Sequence, residues 1–181
     1  RLEWGAVWRN VYRRDFLNKN QIRFNPSIRL NEDSMFNAMC FSRAQKIRTL
    51  NKGFYCYTIR PSGAFMKKRD AELVGNKMAL LEARSNIVND LNKRGFNFSV
   101  KDYAGSNVMS CFELIIKMPF SARRETNKYI RNPIVKESIK VLPFTGRKKV
   151  DIPLLALKCN LQALMIYAVN LGKLFGVQFQ L

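Results

Sequence analysis

The sequence predicts a mixed α/β unit over residues 1–66, followed by a mainly α-helical, basic extension over residues 67–181. Three observations carry that division. In the first part, short apolar runs alternate with turn signals, and one helical run is followed by two strand-like ones. From about Lys67 a longer period sets in, with Leu73/Val74, Leu80/Leu81 and Ile87/Val88 seven residues apart and Leu91 extending the stripe. Between Phe120 and Lys149 the charge is lopsided: Arg123, Arg124, Lys128, Arg131, Lys136, Lys140, Arg147, Lys148 and Lys149 face only Glu125 and Glu137.

Taken in order, "WGAVWRNVYRRDFLNKN" begins with aromatic and β-branched residues and turns helical around Asp15 to Lys19. "QIRF" is a brief extended piece, and Asn25-Pro26 marks "NPSIRLN" as a loop. "DSMFNAMCFSRA" is helical, because Met35, Phe36, Met39 and Cys40 share one face. "KIRTL" and "FYCYTI" read as two strands joined by the turn Asn51-Lys52-Gly53. An amphipathic helix then runs through "DAELVGNKMALLEARSNIVNDLNK" and stops at Gly95. "CFELIIKM" fits helix or strand, and Pro133, Pro143 and Gly146 break the basic segment into short pieces. The tail, residues 153–175, is apolar and approaches the roughly 20 residues that a bilayer span needs. Its Lys158, Asn160, Gln162, Asn170 and Lys173 argue against spanning. It reads either as an interfacial helix beside a basic segment or as a core helix.

With 181 residues, 47% of them hydrophobic, the chain is long enough for a real core. Its 32 Lys and Arg against 13 Asp and Glu give a formal charge of +19, and the pI near 10.2 implies an anionic partner. The absence of histidine excludes Ser-His and Cys-His catalysis and His-ligated zinc within these residues. Cys40, Cys56, Cys111 and Cys159 lie far apart, which suits unpaired thiols in a reducing compartment. Opening at Arg1, with no initiator Met and no signal-peptide apolar segment, the chain reads as a piece of a longer protein.

One stretch carries candidate chemistry. In "RLNEDSMFNAMCF", two of the few acids, Glu32 and Asp33, sit side by side before the helical run. If Asn31 is the N-cap, both fall in the first turn, where the helix dipole favours negative charge by about 0.3–1 kcal/mol each. The same position suits a general base that accepts a proton from an attacking hydroxyl. Capping and catalysis both fit these residues.

The order of features around the pair is more specific. Residues 5–64 show Trp8, Tyr12, Arg13, Phe16 and Leu17, then Ile22 and Phe24, then Glu32, Asp33 and Phe36. Ala44, Lys46 and Ile47 follow, then Tyr55, Tyr57 and Arg60. This ordered set resembles the C-terminal half of the catalytic domain of family 2 glycosyltransferases, with their "vWnKlYrrdfL…n.I.F" and "gED..F" motifs. It covers about a third of the chain, residues 1–66.

The resemblance implies a partial GT-A fold, Rossmann-like α/β, for residues 1–66. It implies inverting transfer of a sugar from a nucleotide-sugar donor to a glycan or lipid-linked acceptor, in cell-surface polysaccharide synthesis. Asp33 takes the position of the catalytic base, and Glu32 supports it or contacts the acceptor. Trp8 and Tyr12 would line the site, although core burial also accounts for Trp8. Arg60 would face the donor pyrophosphate, although a solvated strand-end charge also accounts for it. Asn10 and Ser62 fall at substrate-contact positions where the chain departs from its relatives. Asn10 replaces a frequent Lys, and Pro61-Ser62-Gly63 replaces Pro-Gly-Ser. Asn31 likewise stands where Gly often precedes the acidic pair.

Full-length members of the family use a divalent cation, Mg or Mn, held by a D-x-D motif. This chain has none, and Asp70-Ala71-Glu72 is its nearest approach. The expectation is therefore that these residues alone bind no metal, are catalytically incomplete, and belong in the cytoplasm, peripheral to the membrane face. The rival expectation is a basic nucleic-acid-binding module without enzymatic activity, against which no RNP, KH or zinc pattern is present.

Overall fold

The computed structural model describes residues 6–53, 55, 56, 58 and 72–178. Every regular element among them is helical: α1 (Arg14–Lys19), α2 (Glu32–Arg43), α3 (Leu73–Lys93), α4 (Ala104–Lys117), α5 (Arg123–Ile130), α6 (Pro133–Val141), α7 (Lys148–Lys158) and α8 (Gln162–Leu174). The expected mixed α/β, Rossmann-like organisation is thus corrected to an all-α one over these residues. Residues 46–50, read as a strand, form an exposed irregular run. In "FYCYTI", Tyr55, Cys56 and Thr58 have no regular structure, and Phe54, Tyr57 and Ile59 lie outside the described residues. Residues 21–24 are irregular too. A strand exists only through the ladder it shares with a partner, and a lone pair of short strands is marginal in water. Alternation in the sequence does not supply that partner.

The chain divides into two compact units, Arg1–Arg69 with Ala79–Phe96, and Asp70–Met78 with Asn97–Leu181. In the first, α2 is buried on two sides. Phe36 and Cys40 join Ile22 in a cluster edged by Val7, Tyr12, Phe16, Leu17 and Met39. Met35 joins Ile28 and Leu80, edged by Ala79, Ala83 and Ile87. At the C-terminal end of α2, Arg94 donates to the Ser42 carbonyl, placing a cation where the helix dipole favours one.

The second unit is organised around α4, whose Asn107, Val108, Cys111, Phe112, Leu114 and Ile115 are buried and which packs on α5, α6 and α8. "CFELIIKM" is therefore helix. Buried Asn107 Nδ2 donates to Ser138 Oγ at 2.9 Å, and Ser138 donates in turn to the Ile134 carbonyl at 2.7 Å. The helix α6 starts where sequence chemistry directs it, with Pro133 in the first turn and Asn132 capping the Ile134 N–H at 3.0 Å.

Four helices end by one device, a left-handed residue followed by an N–H that reaches back to the third-last helical carbonyl. After α3 it is Gly95 (φ 90°) with Phe96 N–H to the Leu91 carbonyl at 3.2 Å. After α1 it is Gln21 (φ 51°) with Ile22 to Leu17, at 2.9 Å. After α8, Val177 closes on Gly172. After α7, Asn160 (φ 58°) takes the position and Leu161 bonds the Ala156 carbonyl at 2.8 Å. The apolar tail is consequently two helices, α7 and α8, packed on each other. Among the described residues, no helix is long and apolar enough to cross a membrane.

Glu113 on α4 holds two cations of the second unit, Lys77 at 2.5 Å and Lys117 at 2.8 Å. Burial pushes its carboxyl upward, but the hydrogen bonds and charges of Lys117 and Lys77 prevail and hold it below its ordinary value. Its contribution is therefore present above the unfolded value of 4.5 and is lost as pH falls through the lowered folded one. Glu113→Gln should cost about 0.5–1 kcal/mol at neutral pH after solvent screening. Urea denaturation of the two proteins checks this: the difference should shrink progressively as pH is lowered below 4.5 and through the folded value.

Candidate functional site

Helix α2 begins at a backbone position that its sequence makes possible. Asn31 occupies the N-cap with φ 64° and ψ 21°, a left-handed conformation, and its side chain makes no capping bond. Asparagine is one of the few non-glycine residues that tolerate this region, so it can stand where a glycine would otherwise be needed. The capping expectation is met in position only. The first helical bond runs instead from Met35 N–H to the Asn31 carbonyl, at 3.2 Å. Glu32 and Asp33 occupy the first turn and are half-buried.

One turn further along α2 lies Asn37, with 0% of its surface exposed. Its Oδ1 accepts a hydrogen bond from the Tyr12 hydroxyl and another from Asn10 Nδ2 at 3.3 Å. Asn10 Nδ2 also donates to the Ala6 carbonyl at 3.1 Å. The Tyr12 ring stands edge-on to Phe36, centroids 5.3 Å apart. Burial raises the Tyr12 phenol above its ordinary value; the Asn10 hydrogen bond works against this, and the charges of Cys40 and Asp33 add to it. The phenol thus stays protonated, as a donor, within electrostatic reach of Asp33.

The structure therefore brings Asn10 and Tyr12 to the same face of α2 as Asp33, since residues four apart on a helix are neighbours. Trp8 belongs to a 3₁₀ turn, Val7–Arg9. It is half-buried, lies against Tyr55 at 4.6 Å between centroids, and carries the Arg9 guanidinium 4.9 Å over its ring. Arg60 and Ser62 lie outside the described residues. Asn37 is the residue that reading the sequence missed. Its only signal was a polar side chain among the apolar positions of α2, four residues after Asp33.

Among the described residues no three Cys, Asp or Glu gather into a metal-sized group, and Asp70 of the Asp70-Ala71-Glu72 stretch lies outside them. What the arrangement can do is accept a proton at Asp33, next to a fixed phenol and two carboxamides. Over 56 residues, 31% of its length, the chain is 38% identical to a Bacillus subtilis (strain 168) protein named as the uncharacterized glycosyltransferase EpsJ. Part of this chain is similar to a glycosyltransferase. The matched residues make up 16% of that relative's length. No protein-family model and no solved structure matches. The similarity supports a glycosyltransferase relationship and leaves the substrate and pathway open.

Two outcomes follow for this network and for the start of α2. Asn37→Leu removes the acceptor of the Tyr12 hydroxyl and one of the two acceptors of Asn10 Nδ2, and should cost about 1–3 kcal/mol in urea denaturation. Adding Tyr12→Phe should recover part of that loss, a coupling that a double-mutant cycle reads directly. At the helix start, Asn31→Gly should be neutral or stabilising, whereas Asn31→Val should cost about 1–2 kcal/mol for the left-handed backbone.

Proposed function

We propose that this chain is part of an inverting glycosyltransferase of family 2, moving a sugar from a nucleotide-sugar donor to an acceptor hydroxyl in polysaccharide synthesis. The observation that carries the class is the 38% identity over 56 residues to a protein named as a glycosyltransferase. The role of Asp33 is supported by its position, in the first turn of α2 beside the Tyr12–Asn37–Asn10 network.

In the proposed step, an Asp33 carboxylate oxygen takes the proton of the acceptor hydroxyl. The hydroxyl oxygen then bonds to the anomeric carbon from the side opposite the donor phosphate. The bond from that carbon to the phosphate oxygen breaks, and its electron pair leaves with the nucleoside diphosphate. Attack from the opposite face accounts for inversion. Glu32 is proposed to orient Asp33 or hold the acceptor, and Trp8 and Tyr12 to line the acceptor side. Arg60 and Ser62 are proposed as donor and substrate contacts. Among the described residues no cluster of ligands for the cation that such a reaction uses is present, and no step is assigned to it. The four unpaired cysteines are in keeping with a cytoplasmic reaction.

The test is made in a glycosyltransferase that contains this segment together with a donor-binding region. There, Asp33→Asn should lower kcat by about 10²–10⁴-fold with little change in the donor KM. Full activity of the Asp33→Asn enzyme would rule out the base assignment. Failure of the unmodified enzyme with every nucleotide sugar tried would remove the class.

A further inference from the structure

The outer face of the second unit is apolar where a soluble surface is ordinarily polar. Helix α8 buries Gln162 and Ile166 and turns Leu164, Tyr167, Ala168, Leu171 and Leu174 outward. Leu164 is 62% exposed, Tyr167 56% and Leu174 82%, and Phe175 follows at 79%. On α7 the outward positions are Lys148, Lys149, Ile152 and Leu155, and exposed Cys159 just past its end continues the Lys148, Ile152, Leu155 stripe.

The charges around this face are ordered in a telling way. The two cations inside the apolar stretch reach back onto the unit: Lys158 Nζ donates to the Lys140 carbonyl at 3.1 Å and Lys173 Nζ to the Met118 carbonyl at 3.3 Å. Arg147, Lys148 and Lys149, in contrast, stand exposed at the start of α7. No acidic residue follows Asp151 in the sequence. Beside Tyr167, the Phe120 ring carries the Arg123 guanidinium at 4.5 Å, and these side chains edge a cavity of about 150 Å³. Aromatic rings beside a cation are the arrangement favoured at a lipid headgroup boundary.

We infer that the α7–α8 face docks on an anionic lipid bilayer, with Leu164, Tyr167, Leu171 and Leu174 entering the acyl boundary and Arg147, Lys148 and Lys149 meeting the headgroups. Charge selects this occupant. A second copy would bring the same cations and few acids, since the chain has 13 acidic residues against 32 basic ones. A protein partner would need a hydrogen-bonded rim, at about one bond per 100–200 Å². Along α8 the exposed polar groups are the Tyr167 hydroxyl and the Lys173 ammonium, and the latter is engaged with the Met118 carbonyl. A bilayer asks for no such bonds and supplies both the apolar interior and the negative surface. The 13-residue α8, roughly 20 Å long, lies in the interface rather than across it.

The full chain is sedimented with phosphatidylcholine vesicles, and with the same vesicles containing about 30% phosphatidylglycerol. Binding is expected to the second kind and to weaken with salt. Leu164→Asp with Leu171→Asp should lower it roughly tenfold or more at unchanged circular dichroism. Lys148→Gln with Lys149→Gln should lower it about fivefold per lysine, on the anionic vesicles only. Should the first pair unfold the unit, Leu174→Asp with Phe175→Asp at the exposed helix end replaces it. Absent binding, equal binding to both vesicles, or wild-type binding by these variants would overturn the proposal. So would a stable dimer that the apolar variants disperse without any vesicle binding.

Discussion

A single buried carbonyl oxygen organises the first unit. Asn37 Oδ1 receives the Tyr12 hydroxyl and the Asn10 amide across sequence separations of 25 and 27 residues. A carboxamide without exposed surface must be paired or bear a large desolvation cost, so these bonds select one placement of the leading segment on α2. The apolar contacts of Ile22, Phe36 and Cys40 supply cohesion without direction. The second unit uses the same logic, with Asn107 and Ser138 giving register to helices otherwise held by Leu, Ile and Val.

That economy also places the acidic pair. Asp33 needs no unusual packing of its own, because its helix is aligned by Asn37 one turn away and started by Asn31 in a left-handed conformation. Positioning thus comes from residues other than the acid itself. A substitution in the network acts on geometry, whereas one at Asp33 tests the proposed proton transfer.

How far the sequence could be read follows from what each signal encodes. The run Met35, Phe36, Met39 and Cys40 encodes a helix face directly, and α2 forms there. Gly95 encodes a left-handed residue, and α3 ends there. The alternation at residues 46–50 encodes only half of a strand, because the partner that completes a ladder is not local; the described residues form no sheet. Asn37 was illegible for another reason. A polar residue on a helix usually faces water, and only the arrival of Tyr12 and Asn10 makes it a hub. Arg60 and Ser62, expected at the donor side, fall outside the described residues.

The left-handed residue Asn160 decides more than the end of one helix. Residues 148–174 hold enough helix-forming sequence for one continuous rod of roughly 40 Å at 1.5 Å per residue. One backbone angle folds that rod into a hairpin and turns Leu157 and Ile166 inward on the same unit. A β-branched residue at 160 disfavours the left-handed angle, while an alanine or leucine lowers the barrier to continuing the helix. The direction of this end of the chain is accordingly set at position 160, where one backbone angle and the burial of Leu157 and Ile166 on either side of it act together.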